Sequence, residues 1–209
     1  MLAILSMKEK RRYSGQSFED RSSERRARLV RAALDVAGRF GLEGTSVAAI
    51  CAEAGLTARY FYESFPSRDA IFVEAYRLAQ AELFEDIEER LDKRDPIKSA
   101  LTAFFEVLES HPGQARVFLL DLDDHGPAMR AANQEAAARF GKLFAPKAAK
   151  AGDMLMLAGI LGAIVQIAKR WIGEEFATPV PKVVATALPF TQVTRQTGGK
   201  ASGKTNGKR

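Results

Sequence analysis

The sequence predicts an all-α protein in two parts, a small N-terminal helix-turn-helix domain followed by a larger C-terminal helical domain. Three observations predict it. Apolar residues recur at three- and four-residue spacing along most of the 209 residues, and no alternating strand pattern occurs before the tail. Thr45 to Phe65, TSVAAICAEAGLTARYFYESF, spells two short helices around a glycine turn. Met154 to Ala168, MLMLAGILGAIVQIA, is apolar on nearly every side, as a helix buried on most faces is.

Taken in order, the chain opens with MLAILSMKEKRRYSGQ, whose apolar part is short for a signal peptide and precedes its basic residues. Residues 1–22 read as a basic arm without fixed structure, and Met7 is as good a start as Met1. Lys8, Lys10, Arg11 and Arg12 either reach a minor groove or stay solvated. From near Ser23 a stripe of Ala27, Val30, Ala33, Leu34, Ala37 and Phe40 predicts a helix that Gly41 ends.

In the motif itself, Ser46 N-caps a helix with Val47, Ile50 and Ala54 inward, and Gly55 supplies a left-handed stop. Thr57 caps a second helix. Phe61 and Phe65 share its inner face, and Pro66 limits its length. Its outer face carries Arg59, Tyr60 and Glu63, with Tyr62 on the flank, an arrangement suited to a recognition helix in a major groove.

Ser67 or Arg68 then opens a long helix with the stripe Phe72, Tyr76, Ala79, Leu83, Ile87 and Leu91, its run EDIEER a solvated face. Asp95-Pro96 starts the next, carrying Ile97, Leu101, Phe104, Phe105 and Leu108 until His111-Pro112-Gly113 stops it. Val117 to Leu120 lie on another helix. Gly126-Pro127 begins one with Met129, Ala132, Ala136, Phe140 and Phe144, bounded by Pro146. The Met154–Ala168 run is shorter than the about 20 residues a membrane span needs, contains Gln166 and meets Lys169-Arg170, so no membrane is expected. A last helix from Thr178 or Pro179 holds Val183, Val184, Ala187 and Leu188, and Pro189 should kink or end it. From Thr197 the chain is glycine-rich and basic, a flexible tail.

Over Leu29 to Phe72 the chain resembles the DNA-binding domain of the TetR family of bacterial transcriptional regulators. The resemblance rests on Leu29-Val30, Ala32-Ala33, Gly41, Thr45-Ser46, Ile50, Ala54-Gly55-Leu56, Thr57, Phe61-Tyr62, Phe65-Pro66-Ser67-Arg68 and Ile71-Phe72. Arg59, Glu63 and Arg68 stand where the family more often has glycine, histidine and lysine. The resemblance implies a dimer joined by its last two helices, an effector cavity in the C-terminal half and a long helix acting as a lever.

The expected organisation is an arm at 1–22, a helix-turn-helix domain at 23–68, an effector-binding and dimerisation domain at 69–195 and a basic tail at 196–209. DNA contacts are expected from Thr45, Ser46, Thr57, Ala58, Arg59, Tyr60, Tyr62, Glu63 and Arg68. Phe104, Phe105, Leu108, Phe118, Phe140 and Phe144 are first of all core; in the sharper reading they line a pocket for a small apolar effector. Gly159, Gly162, Ala163, Gln166 and Trp171 are expected at the homodimer interface. The function expected is a repressor that binds a palindromic duplex operator as a dimer and is released by its effector.

Composition and chemistry narrow the classes. Hydrophobic residues at 46% and charged residues at 27% are ordinary for a soluble globular protein. The first 68 residues carry twelve basic and eight acidic side chains and the last fourteen carry four basic and none acidic, so positive charge lies at the motif and the tail. The one cysteine, Cys51, excludes an intrachain disulfide and fits a reducing cytoplasm; it reads as a small buried side chain, with a redox sensor as the alternative. No glycine-rich phosphate loop, paired metal-binding cysteines or Gly-x-Ser-x-Gly elbow is present, so no enzyme and no cofactor are expected. Asp121, Asp123, Asp124 and His125 read as a polar loop, with a divalent-ion site as the alternative. The rival overall reading is a helical small-molecule-binding protein or enzyme with only nonspecific nucleic-acid affinity.

Overall fold

The computed structural model describes residues 2–119, 126–146 and 153–192, with side chains described from Glu19 onward. It is helical, with no strand among the described residues. The chain divides into two compact units, residues 1–79 and 80–209, with the division inside a helix. The predicted boundary before residue 69 falls at the start of that helix instead.

In the first unit, α1 (Leu2–Phe40) packs on α2 (Val47–Ala54) and α3 (Ala58–Ser64), and the first turns of α4 (Arg68–Glu89) complete the core. Leu29, Ala33, Ile50, Phe61, Phe65 and Ile71 are almost wholly buried. Each large apolar side chain so buried contributes about 1.5–3 kcal/mol relative to exposure. Two expectations are corrected here. Helix α1 begins at Leu2, not near Ser23: the stretch lacks proline, and its Glu, Lys and Arg are good helix formers without an apolar stripe to reveal them. Ala27 and Phe40 point outward, while Leu29 and Val36 take inward positions.

In the second unit, α5 (Pro96–Ser110) is central and packs on α6 (Pro112–Phe118), α7 (Gly126–Phe144) and α9 (Val180–Gln192). Helix α8 (Met154–Gly173) lies against α7 and α9. Asp95 and Asp153 N-cap α5 and α8, accepting from the backbone N–H of Lys98 at 3.4 Å and of Met156 at 3.0 Å. A Cβ on Gly141 would lie 2.7 Å from the Leu157 side chain, so α7 and α8 meet closely because that residue has none. Pro189 neither ends nor bounds α9, which runs on to Gln192. Placed in the last turn, it forfeits one backbone bond where the helix is about to stop anyway.

By length and composition α8 is the one helix among the described residues that could cross a membrane, with 20 residues and a mean hydropathy of 1.5. Its Leu157, Ile160, Ile164, Ala168 and Trp171 are nonetheless buried within the unit. One face of α8 is thus packed within the unit, and most of the rest of its surface is open among the described residues.

Candidate nucleic-acid interface

Ser46 caps α2 as the sequence predicts. Its backbone is extended, and its hydroxyl oxygen accepts from Ala49 N–H at 3.1 Å. Gly55 closes the helix in the left-handed region at φ 60°, ψ 37°, donating to Ala52 C=O at 3.2 Å, while Leu56 N–H reaches Cys51 C=O at 2.9 Å. Thr57 occupies the N-cap of α3 but its side chain makes no capping bond. Its hydroxyl is therefore left to the exposed surface.

Phe61 within α3 and Phe65 just past its end anchor it, at 0% and 1% exposure with their ring centroids 5.9 Å apart. This turns Ala58, Arg59, Tyr62 and Glu63 outward. The Arg59 side chain is 83% exposed and donates from Nε to Glu63 Oε1 at 2.9 Å. Glu63 holds the guanidinium pKa above its ordinary value, through that hydrogen bond first and its charge second. Tyr60 is only partly open, because the Arg25 guanidinium lies 4.8 Å from its ring centroid. An arginine face of Tyr60, not a bare ring, is what this surface offers.

Thr45 departs from its expected role. It is fully buried, and its hydroxyl donates to Gly41 C=O at 2.6 Å, so its side chain closes the α1–α2 turn and does not meet solvent. Its carbonyl accepts from Arg68 at 3.4 Å, and Arg68 also lies 5.5 Å from the Phe72 ring centroid. Arg68 thus ties the start of α4 to the start of the motif while remaining about half exposed.

Three arginines of α1 do work that the sequence reading counted only as charge. Arg26 donates to Ser64 C=O at the end of α3 and to the Glu74 carboxylate, and its guanidinium sits 4.1 Å from the Phe65 ring centroid. Arg28 donates to Ala54 C=O at the end of α2, and Arg39 pairs with Glu53. Cations at helix C-termini satisfy orphan carbonyls and meet the negative end of the helix dipole. The available signal was the run ERRAR, which places arginines at one-, two- and three-residue spacing just before the apolar stripe. Lys8, Lys10, Arg11 and Arg12 have no described side chains.

Elsewhere, Phe104, Phe105, Leu108, Phe118, Phe140 and Phe144 are all buried. The phenylalanine rings pack on one another: the Phe104 centroid lies 5.2 Å from that of Phe105, 5.6 Å from Phe140 and 5.6 Å from Phe144, and Phe118 lies 5.3 Å from Phe140. Phe84 of α4 joins at 4.3 Å from Phe140. One turn before Phe84, Gln80 is 94% buried by its 6% exposure, and its Nε2 finds no partner. A described cleft of about 350 Å³ lies apart from these rings, among charged residues including Arg90, Asp92, Lys98 and Glu106.

Of the expected interface residues, Gly159, Gly162 and Gln166 are exposed and Ala163 half-buried, beside Leu155 at 88% exposure. Trp171 is the exception: it is buried, stacks edge-on against Phe105 and Phe176, and donates from Nε1 to Thr178 C=O at 2.6 Å. Its indole holds the α8–α9 turn, where Glu175 and Phe176 adopt positive φ. Cys51 is buried and free, and burial pushes its thiol pKa up. Among the described residues no cluster of His, Cys, Asp or Glu suits a metal ion. Asp121 to His125 and the 196–209 tail lie outside the described residues.

A trihelical head with a capped α2, a glycine turn and an exposed α3 is a helix-turn-helix domain. Residues 29–75 match the family model described as bacterial regulatory proteins, tetR family. The chain carries the TetR-family helix-turn-helix domain, and its described fold is that of TetR-family transcriptional regulators. It is similar to a tetR family transcription regulator from Shewanella sp. PV-4, at 16% identity and TM-score 0.64 over 80% of this chain and 95% of that one. It is also similar to the regulator FadR from Bacillus subtilis, solved in complex with stearoyl-CoA, at 17% identity and TM-score 0.63 over 79% and 96%. A third is the multidrug binding protein EbrR complexed with imidazole, at 20% identity and TM-score 0.64 over 79% and 94%. No curated protein matches the chain.

Proposed function

We propose that the protein is a ligand-responsive repressor that binds a palindromic duplex operator as a homodimer and is released by a small, largely apolar effector. The observation that carries this reading is the outward face of α3, where Arg59, Tyr62 and Glu63 stand exposed on a helix anchored by two buried phenylalanines. Ser46, Thr57 and Arg68 flank it with groups that meet phosphate.

Residues 69–195 form the effector-binding and dimerisation part in this reading. The leftover face of α8 supports the dimer: a Cβ on Gly159 or Gly162 would meet nothing within 4 Å, so neither glycine serves packing among the described residues. A helical glycine costs about 1 kcal/mol relative to alanine, and close approach of a second copy is what two such glycines permit. The effector site is proposed at the Phe104–Phe118–Phe140–Phe144 layer, opened by ring rearrangement. Gln80 Nε2 would donate to a polar atom of the ligand, which suits an apolar molecule with one hydrogen-bond acceptor. Similar folds that bind stearoyl-CoA or multiple drugs fit an apolar occupant.

A gel shift with competitor DNA tests the reading. A sequence-selective complex that survives competitor and is weakened about 5- to 150-fold by an effector is expected, the scale of ordinary allosteric coupling. Binding without sequence preference that vanishes at modest salt would instead leave a helical small-molecule-binding protein.

A further inference from the structure

We propose that Arg59, positioned by Glu63, reads a guanine in the major groove of each half-site. The inference rests on the repressor reading above and names the base that its recognition helix selects. Arg59 lies in the first turn of α3, the part of a recognition helix that meets base edges. Its side chain is 83% exposed, and Phe61 and Phe65 fix which way that face points.

The geometry of the pair selects the target. Glu63 Oε1 takes the Nε–H of Arg59 at 2.9 Å, one turn along the same helix. A guanidinium carries five N–H groups in a planar fork, so the four Nη hydrogens remain. Two of them, parallel and pre-aimed, match the O6 and N7 acceptors of guanine. Holding Nε also removes rotamer freedom that a lone exposed arginine would lose on binding.

Charge argues against a phosphate partner. Arg59 and Glu63 together are neutral, and a carboxylate beside the guanidinium repels any phosphate that approaches it. A base edge, being uncharged, loses nothing by the presence of Glu63.

The test is selection of bound duplexes from a random pool by the full-length wild type, Arg59→Ala, Glu63→Gln and Glu63→Ala. The wild type should select a guanine at one symmetric position of each half-site. Arg59→Ala should lose that preference alone, a drop of about 5- to 150-fold in discrimination there, while its melting temperature is unchanged because the side chain is exposed. Glu63→Ala should weaken the same preference and steepen the salt dependence of binding by about one unit, since Arg59 becomes free to meet phosphate. Glu63→Gln, which still accepts from Nε, should keep more of the preference than Glu63→Ala. If Arg59→Ala keeps every preference and only flattens the salt dependence, the guanine assignment is overturned while the repressor reading stands. If the wild type selects no sequence, both fall together.

Discussion

The two units solve opposite problems with opposite chemistry. The reading head places short helices whose outer faces must stay polar and exposed, so its fixings are arginines reaching helix ends: Arg26 to Ser64, Arg28 to Ala54, Arg39 to Glu53 and Arg68 to Thr45. The second unit fixes its helices with aromatic rings packed on rings, Phe104 touching four other phenylalanines. Polar clamps are individually weak and leave a surface open; ring packing is strong and leaves none. Under the proposed function, a part that reads DNA and a part that senses an apolar ligand have use for both.

The largest effect should come from the ring layer. Phe104→Ala removes a side chain at 1% exposure and should cost about 3–5 kcal/mol, read by denaturant unfolding of the second unit. A loss under about 1 kcal/mol would mean that the rings already stand open, and the contrast between a filled and an open unit would break.

Next in size is the leftover face of α8. Gly162→Leu adds a side chain where the protomer has free space, so a monomer should gain slightly from the better helix former. In a dimer the same side chain is overpacked, at about 1–3 kcal/mol per protomer. Sedimentation should therefore show dissociation into monomers with an intact helical signal; an unchanged dimer would take Gly162 out of the interface.

Smaller still is the loss of one clamp. Arg26→Met keeps the alkyl stem beside Phe65 and removes the bonds to Ser64 and Glu74. Both ionic partners are about 40% exposed, so solvent discounts the pair to about 1 kcal/mol. Operator affinity should fall by more than this implies, because Ser64 ends the helix that carries Arg59 and Glu63. Equal losses in stability and affinity would show that Arg26 does not aim α3.

These contrasts were unequally legible in the sequence. The turn from Ser46 to Phe65 was readable because capping, glycine and phenylalanine spacing are local: Ser46, Gly55 and the two phenylalanines are found where spacing puts them, and Thr57 holds the N-cap position without its capping bond. Thr45 and Trp171 were misread because residue type suggests a role while burial decides it: a threonine beside a cap looks like a phosphate ligand, yet its hydroxyl bonds Gly41. The clamps of α1 were only half legible, for a different reason: the run ERRAR marks where arginines stand but not what they hold. Their partners are backbone carbonyls 26 and 38 residues away, and no sequence pattern encodes which carbonyl a helix end leaves unpaired.

The smallest expected effect sharpens the contrast between the two sides of the reading head itself. Cys51 sits on the inner side of α2 at 6% exposure, three residues before Ala54, whose carbonyl Arg28 holds. Burial disfavours the thiolate, so the folded pKa lies above the unfolded value of about 8.5. A group raised in this way keeps its proton longer in the folded state. Its contribution to stability is complete below the unfolded pKa and is lost as pH rises through the folded one, so stability should decline above about pH 8.5, and less so in Cys51→Ala. At pH 8 a thiol reagent should label the native protein slowly, at the rate at which α2 opens, and operator DNA should slow it further by holding the head closed. Rapid labelling that DNA leaves unchanged would place the thiol at the surface and restore the redox-sensor alternative that burial argues against.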